Sequence, residues 1–369
     1  MQDRFKQVVS DMNQLCLERQ SEVYSMVGCI IAHEHGFFLG KPGIGKSHMI
    51  NKFLESTVDA NKFVKLMTAQ TTVNELFGPL DINAFKQGKL SFNVEGYLAD
   101  SHIAFLDEVW KSNSQCLNAL LTVLEERRFD NGNQTIQAPL ISCFGASNEL
   151  PQDDSLKALY DRFLLRMEVK TLLQRESYRA LYSGLTHSMR QVLSVNDIRE
   201  ANAQSSMVTM GEDVCDSMID LVLDIGLKCK IDISPRRQVK MIRFLKALVW
   251  LDGKDKITEN YFQYLLDCIW ETPSQKQSVA IVLSSYLSPA VQAAKNDYDV
   301  AIALIDSAIN QSNLALFIKE YHVIQEQLKT IEDKVNRGDD DSPHVERTLL
   351  VLKAAFKPLN KKYLKLRKL

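Results

Sequence analysis

The sequence predicts an α/β fold: a parallel five-stranded sheet between helical layers, followed by an all-α region and a C-terminal helical hairpin. Three observations carry this. Gly40-Lys41-Pro42-Gly43-Ile44-Gly45-Lys46-Ser47 matches the phosphate-binding pattern G-x-x-x-x-G-K-[ST], between an apolar run and a helical pattern. The run Ile103-Ala104-Phe105-Leu106 ends in two acids, Asp107 and Glu108. Beyond about residue 172 apolar residues recur at helical spacing, and beyond 314 in alternating steps of four and three.

Composition narrows the class. The chain has 369 residues, 45% of them apolar and 24% charged, with a net charge of −2. That length suits two or three domains, and that charge gives no global field for nucleic acid or membrane. Apolar runs are too short to span a bilayer, and Met1-Gln2-Asp3-Arg4-Phe5 lacks a signal-peptide core. The seven cysteines form no C-x-x-C pair and read as reduced core residues, so the expected setting is cytoplasmic. His33 and His35, just before the first apolar run, read as surface residues.

In chain order, an apolar helix over 24–32 comes first, and Phe37-Phe38-Leu39 reads as a buried strand. The phosphate loop follows and opens a helix carrying Met49, Ile50, Phe53 and Leu54. Glycines in such a loop turn backbone N–H groups toward an anion, and the helix dipole adds positive potential. Gly40, Pro42, Gly43, Ile44, Gly45, Lys46 and Ser47 are therefore the candidate nucleotide-binding residues. Lys46 would reach the β- and γ-phosphates, and the Ser47 hydroxyl would coordinate Mg²⁺. The strand at 103–106 puts Asp107 where it can hold the Mg²⁺ shell and Glu108 where it can polarise the attacking water. The strand over 140–147 ends at Asn148, placed to orient that water; the alternative is a turn asparagine. Leu159 to Arg166 leads into a fifth strand. Arg162 before it could project onto a neighbouring subunit's γ-phosphate, or could be a surface salt-bridge arginine. Arg166 reads as the latter.

The order of these motifs resembles the AAA+ ATPases, and the finer text resembles the MoxR branch, closest to its RavA subgroup. Glu75-Leu76-Phe77-Gly78-Pro79-Leu80, Glu95-Gly96-Tyr97-Leu98, His102 to Lys111, Leu117 to Thr122, Glu125 to Gly132 and Tyr264 to Trp270 carry the likeness, which spans about residues 10 to 275. It implies an αβα core over 1–172 and a helical lid over 173–275, with 276–369 as a helical extension. Two insertions, one within Gly78–Ala99 and one at the 128–139 hairpin, would engage substrate or pack on a neighbouring subunit. Asp130-Asn131-Gly132-Asn133 reads as an Asn-Gly turn. Glu18 to Glu22 resembles the segment near the adenine base. In the lid, Ser234-Pro235 starts a helix, and the resemblance makes Arg236 the γ-phosphate sensor, ahead of Arg237; the alternative is a first-turn arginine in solvent. Met218, Leu221, Val222, Ile225 and Leu227 mark one lid helix, and Val239, Ile242, Leu245 and Leu248 the next.

Past residue 275 the likeness fades. Phe317, Tyr321, Ile324, Leu328, Ile331 and Val335, then Val345, Leu349, Leu352, Phe356, Leu359 and Tyr363, describe an antiparallel hairpin that Pro358 should kink or end. Lys353, Lys357, Lys361, Lys362, Lys365, Arg367 and Lys368 face no acids after residue 346 and make a basic end, either a solvated tail folding back on the lid or a docking arm for an acidic partner or anionic membrane. The expected function is that of a Mg·ATP-hydrolysing homo-oligomeric ring, a hexamer, remodelling a partner complex. The resemblance implies a von Willebrand A-domain protein as partner. The rival is a nucleotide-gated scaffold in which hydrolysis is incidental. Nucleic acid is not expected, since no reading motif is present.

Overall fold

The computed structural model describes residues 1–184, 188–294, 296, 300 and 314–336, and single positions 345, 349, 352, 353, 356, 359, 360 and 363. Two helices, α1 (Gln2–Leu15) and α2 (Gln20–Ile31), precede strand β1 (Gly36–Leu39). Then come α3 (Lys46–Glu55), β2 (Thr57–Val58), β3 (Lys62–Leu66), α4 (Val73–Phe77), α5 (Ile82–Lys86), β4 (Ile103–Asp107) and α6 (Ser114–Glu126). The hairpin β5 (Arg128–Asn131) and β6 (Gln134–Gln137) is followed by β7 (Ser142–Ser147), α7 (Asp154–Arg162), β8 (Leu165–Glu168) and α8 (Arg175–Tyr182).

The main sheet runs β3-β4-β7-β1-β8, with every pair parallel. Its carboxyl ends align: Leu39 pairs with both Ser147 and Glu168, and Asp107 with Ala146. Alternation along each strand divides the core into two layers. Phe38, Ile103, Phe105 and Phe144 pack on one face with α1, α2 and α3. Phe37, Leu39, Ala104, Leu106 and Cys143 pack on the other with α6 and α7. Inner strands buried on both faces read as continuous apolar runs, which is why they were visible in the sequence.

The helical region comprises α9 (Val195–Ser206, after the short β9 Leu193–Ser194), α10 (Glu212–Cys229), α11 (Pro235–Leu251), α12 (Leu266–Ile269) and α13 (Lys276–Ser284). Ser234 caps α11 by accepting from Arg237 N at 3.3 Å, and Pro235 occupies the first turn, where its missing N–H costs nothing. The inward face of α10 is Val214, Met218, Leu221 and Ile225, whereas Leu227 is 77% exposed. On α11 the buried set includes Met241, Phe244, Leu245 and Leu248, and Val239 is half-exposed. Each expected stripe therefore included one residue that the helix phase turns outward.

Helix α14 (Leu314–Asn336) buries Phe317, Tyr321, Ile324, Leu328 and Ile331 against Val345, Leu349, Leu352, Phe356 and Leu359. Tyr321 stacks on Tyr363 at 4.0 Å, and Lys353 pairs with Glu332 at 2.7 Å. The side chain of Val335, the expected kink at Pro358 and the basic residues Lys357, Lys361, Lys362, Lys365, Arg367 and Lys368 lie outside the described residues. Among the described residues no helix is long and apolar enough to cross a membrane.

Three expectations are corrected. His35 is fully buried: its Nε2 lies 2.8 Å from Leu124 O, and Cys143 N donates to its Nδ1 at 2.8 Å. Arg166 is also buried, 4.0 Å over the Tyr160 ring, and donates to Trp270 O at 3.0 Å. The hairpin turn centres on Gly132-Asn133, because Asn131 is a strand residue paired with Gln134. Gly132 has φ +65°, which suits glycine as the first central residue, and a Cβ there would meet Leu90 O at 1.8 Å.

Candidate functional site

The phosphate loop leaves β1 at the carboxyl edge of the sheet and enters α3. Gly43 and Gly45 have φ of +78° and +92°, conformations that place successive N–H groups around a concavity at a helix N-terminus. Ser47 is in the first turn of α3, and its Oγ donates to Asp107 Oδ2 at 2.8 Å. This joins the loop to the end of β4, across β7. Lys46 is folded back on its own loop, donating to Gly40 O and to Lys41 O at 3.1 Å. Burial holds its ammonium below the ordinary lysine range, partly offset by Glu108 and Asp107.

Glu108 follows β4 in a left-handed conformation, φ +53°, that turns its carboxylate toward β7. Ser147 Oγ donates to Glu108 Oε2 at 3.4 Å, and Lys111 Nζ lies 3.5 Å from the same oxygen. Asn148 is exposed directly after β7. Ser147 was not singled out in the sequence; its place one residue before Asn148 was the available signal. The donor set fits Mg²⁺ bound through a nucleotide: one hydroxyl and one carboxylate in contact, with phosphates and water completing the shell. Among the described residues there is no cluster of three or more acids, histidines or cysteines to hold a metal without a nucleotide.

Beside the loop lies a cavity of about 380 Å³, lined among others by Leu15, Cys16, Ile44, Met49, Tyr178 and Leu181. It is mainly apolar and large enough for a purine base. Its rim is held by bonds from two side chains to the main chain. Arg19, buried, donates to Ile44 O at 3.3 Å and to Lys170 O, and Glu18 accepts from Leu173 N and Gln174 N at 2.8 and 2.9 Å. Glu18 and Arg19 thus shape the cavity by tying 170–174 to the phosphate loop.

The arginines are elsewhere. Arg162 ends α7 and precedes β8, so it sits at the amino edge, about 10 Å of strand away from the level of the loop. Its Nη1 donates to Ala158 O at 2.9 Å, and its Nε, 3.9 Å from Glu125 Oε2, is buried without a hydrogen-bond partner. Arg236, largely exposed, pairs with Glu125 Oε1 at 3.3 Å, and Lys240 reaches Oε2 at 3.2 Å. Lys240 and Arg243 both lie 3.7 Å from Glu34. Arg236 therefore joins Arg162 at the amino edge and is not over its own subunit's phosphate loop. Arg237, its neighbour, is buried and bonded into the core.

The two insertions form one unit. Asn131 uses its side-chain amide as a strand would: Oδ1 accepts from Phe92 N, and Nδ2 donates to Phe92 O at 3.2 Å. Phe129 stacks on Phe77 with centroids 4.5 Å apart and meets Phe92 edge-on at 6.1 Å. This packing leaves Ile82, Phe85 and Leu90 exposed at the tip.

Comparison with known proteins agrees with this layout. Residues 3–207 match a family model described as the MoxR domain in MoxR–vWA–β-propeller ternary systems, and residues 213–283 match an AAA lid domain. An uncharacterised protein of Methanocaldococcus jannaschii is 37% identical over 278 residues, 75% of this chain and 74% of that one. Chaperone MoxR1 of Mycobacterium tuberculosis is 20% identical over 272 residues, 68% of this chain and 70% of that one. A crystal structure of a candidate ATPase from Cytophaga hutchinsonii superposes with a TM-score of 0.62 at 20% identity, covering 77% of this chain and 93% of that one; this likeness bears on the fold alone. A parallel sheet carrying the phosphate loop, a matching lid and a MoxR-domain match over more than half of the sequence place the chain in the MoxR family of AAA+ ATPases.

Proposed function

We propose that the chain hydrolyses Mg·ATP in a ring of like subunits and uses the cycle to remodel a protein partner. The observation that carries this reading is the division of the machinery between two edges of one sheet. Lys46, Ser47, Asp107 and Glu108 are at the carboxyl edge, and Arg162 and Arg236 at the amino edge. This division supports a site shared between neighbours, because within one subunit the two sets lie at opposite edges of the sheet.

The roles follow. The loop N–H groups and Lys46 bind the phosphates, and Lys46 exchanges its carbonyl partners for them. Ser47 and Asp107 would hold a Mg²⁺ ion, which would supply neutralisation of the phosphate charge. Glu108, steadied by Ser147, orients and polarises the attacking water, with Asn148 as the second polar group. Arg162 and Arg236 of the next subunit stabilise charge developing on the γ-phosphate. The apolar cavity beside the loop takes the base. The joined insertions, with their exposed apolar tip, are the surface offered to the partner. The family description supports a von Willebrand A-domain protein in that role. Five buried free thiols support a reducing, cytoplasmic setting.

Complementation tests the divided site. Arg162→Ala should bind Mg·ATP and hydrolyse it about 10³-fold more slowly or worse, as for other arginines acting in trans. Mixed with Lys46→Ala, it should regain part of the turnover, because some interfaces then pair an intact loop with an intact arginine. Mixed rings that stay as inactive as their parents would refute the proposal.

A further inference from the structure

We propose that Arg237 is a positioning residue for Arg162: from the first turn of α11 it fixes the backbone that aims Arg162 at the neighbouring subunit's nucleotide. This inference rests on the trans reading above. Its basis is a complete set of bonds. The guanidinium has five N–H donors, and each has an acceptor here. Nε donates to Cys268 O at 2.7 Å, Nη2 to Leu164 O at 2.8 Å and Phe163 O at 3.3 Å, and Nη1 to Asp161 O and Asp161 Oδ1, both at 3.3 Å. The residue is 6% exposed.

The acceptors bracket Arg162 on both sides: Asp161 before it, Phe163 and Leu164 after it. This is where α7 ends and its last carbonyls lack partners within the helix. The fifth acceptor, Cys268 O, belongs to α12, so one side chain ties the arginine-bearing segment to two helices of the lid. Arg166 strengthens the tie. It lies 3.8 Å from the same Asp161 Oδ1 and donates to Trp270 O, one residue past α12. Burial pushes its own pKa down to about 10, with Arg237 adding repulsion, so the shared Asp161 carboxylate has two guanidiniums to balance. Any lid displacement that carries α11 and α12 must move residues 161–164 with it, and with them Arg162. Glu125 holds the Arg162 side chain from the other direction and also pairs with the lid's Arg236.

A lysine cannot reproduce a five-donor planar fork. The test therefore uses Arg237→Lys, with Asp161→Asn as a milder second variant at a half-exposed carboxylate. Both are made in the full chain and mixed, in parallel, with Lys46→Ala. We expect Mg·ATP affinity within about twofold of wild type and kcat lower by about tenfold to hundredfold, the scale of a displaced catalytic group. Turnover should partly return in mixed rings, since Lys46→Ala subunits bring an intact Arg237 and Arg162 to the variant's loop. A residue that only stabilised its own fold would shift the melting temperature without being rescued by a neighbour. Unchanged kcat in both variants overturns the inference. So does a loss that mixing leaves in place while Arg162→Ala is rescued. If Arg162→Ala itself is not rescued, the trans reading fails and this inference falls with it. Should Arg237→Lys fail to fold, Asp161→Asn decides between the same outcomes.

Discussion

Replacing Lys46 separates what a residue does for binding from what it does for folding. In the free subunit the ammonium is buried, held below its ordinary pKa by desolvation, and bonded only to the carbonyls of Gly40 and Lys41. Those carbonyls belong to a partly exposed loop and can turn to water. The charge therefore gains little from folding, and a hydrophobic residue of similar length removes a desolvation cost. Lys46→Met should match wild-type stability within about 1 kcal/mol by urea unfolding without nucleotide, about the net worth of one ordinary hydrogen bond. With nucleotide the account reverses. A hydrogen bond to a charged group contributes about 1.5–3 kcal/mol net. Its loss should raise the Kd for Mg·ATP by about 10- to 150-fold in isothermal titration. Wild-type affinity would sink the assignment of the loop. A stability loss well above 1 kcal/mol would show that Lys46 holds the empty loop together, contrary to this argument.

Two further outcomes can be checked directly. Glu108→Gln should keep Mg·ATP affinity and lower phosphate release by about 100-fold or more, the usual worth of a general base or water-orienting group; unchanged release would remove Glu108 from the chemistry. His35 should make the fold acid-sensitive. Burial, then Arg127, holds its pKa well below 6.5, so the folded state keeps it neutral while the unfolded state protonates it. A base with a depressed folded pKa contributes stability that is intact above the unfolded value and is lost as pH falls below it. Between pH 7.5 and 5.5 that loss is on the order of 1 kcal/mol for one such histidine, as the unfolded imidazole takes up its proton. His35→Gln, whatever its baseline stability, should lose about that much less over the same range, and an equal loss in both proteins would contradict the burial argument.

The parts of this molecule that were legible in the sequence are those that obey local rules. The loop at 40–47 combines a motif with an apolar run before it and a helical pattern after it. β4 and β7 are apolar because both faces are covered, and their polar endings mark the carboxyl edge. What was not legible depends on residues far away in the chain. His35 is buried because Leu124 O and Cys143 N meet its ring, and nothing near position 35 signals that. Arg236 and Arg237 look equivalent as first-turn arginines. The phase of α11 against the core decides that one faces Glu125 and the other threads between α7 and α12. The same phase turns Val239 outward and Met241 inward. Asn131 read as a turn residue because Asn-Gly is a strong local signal. Its side chain instead completes the pairing with Phe92, a partner 39 residues away in an insertion without periodicity of its own.

The charge layout gives the proposed cycle its direction. At the amino edge four cations, Arg162, Arg236, Lys240 and Arg243, share two carboxylates, Glu34 and Glu125. Such an edge attracts anions, and the most exposed of its cations, Arg236 and Arg243, belong to the lid helix α11. A neighbouring subunit's triphosphate would compete with Glu125 for Arg162 and Arg236 together, and so would bridge core and lid. Because Arg237 already bonds the lid to both sides of Arg162, that bridge and the backbone tie act on the same short segment. Loss of the γ-phosphate would return both arginines to Glu125. The carboxylate would then compete with nucleotide without touching it, and the state of one subunit's nucleotide would set the position of the next subunit's lid.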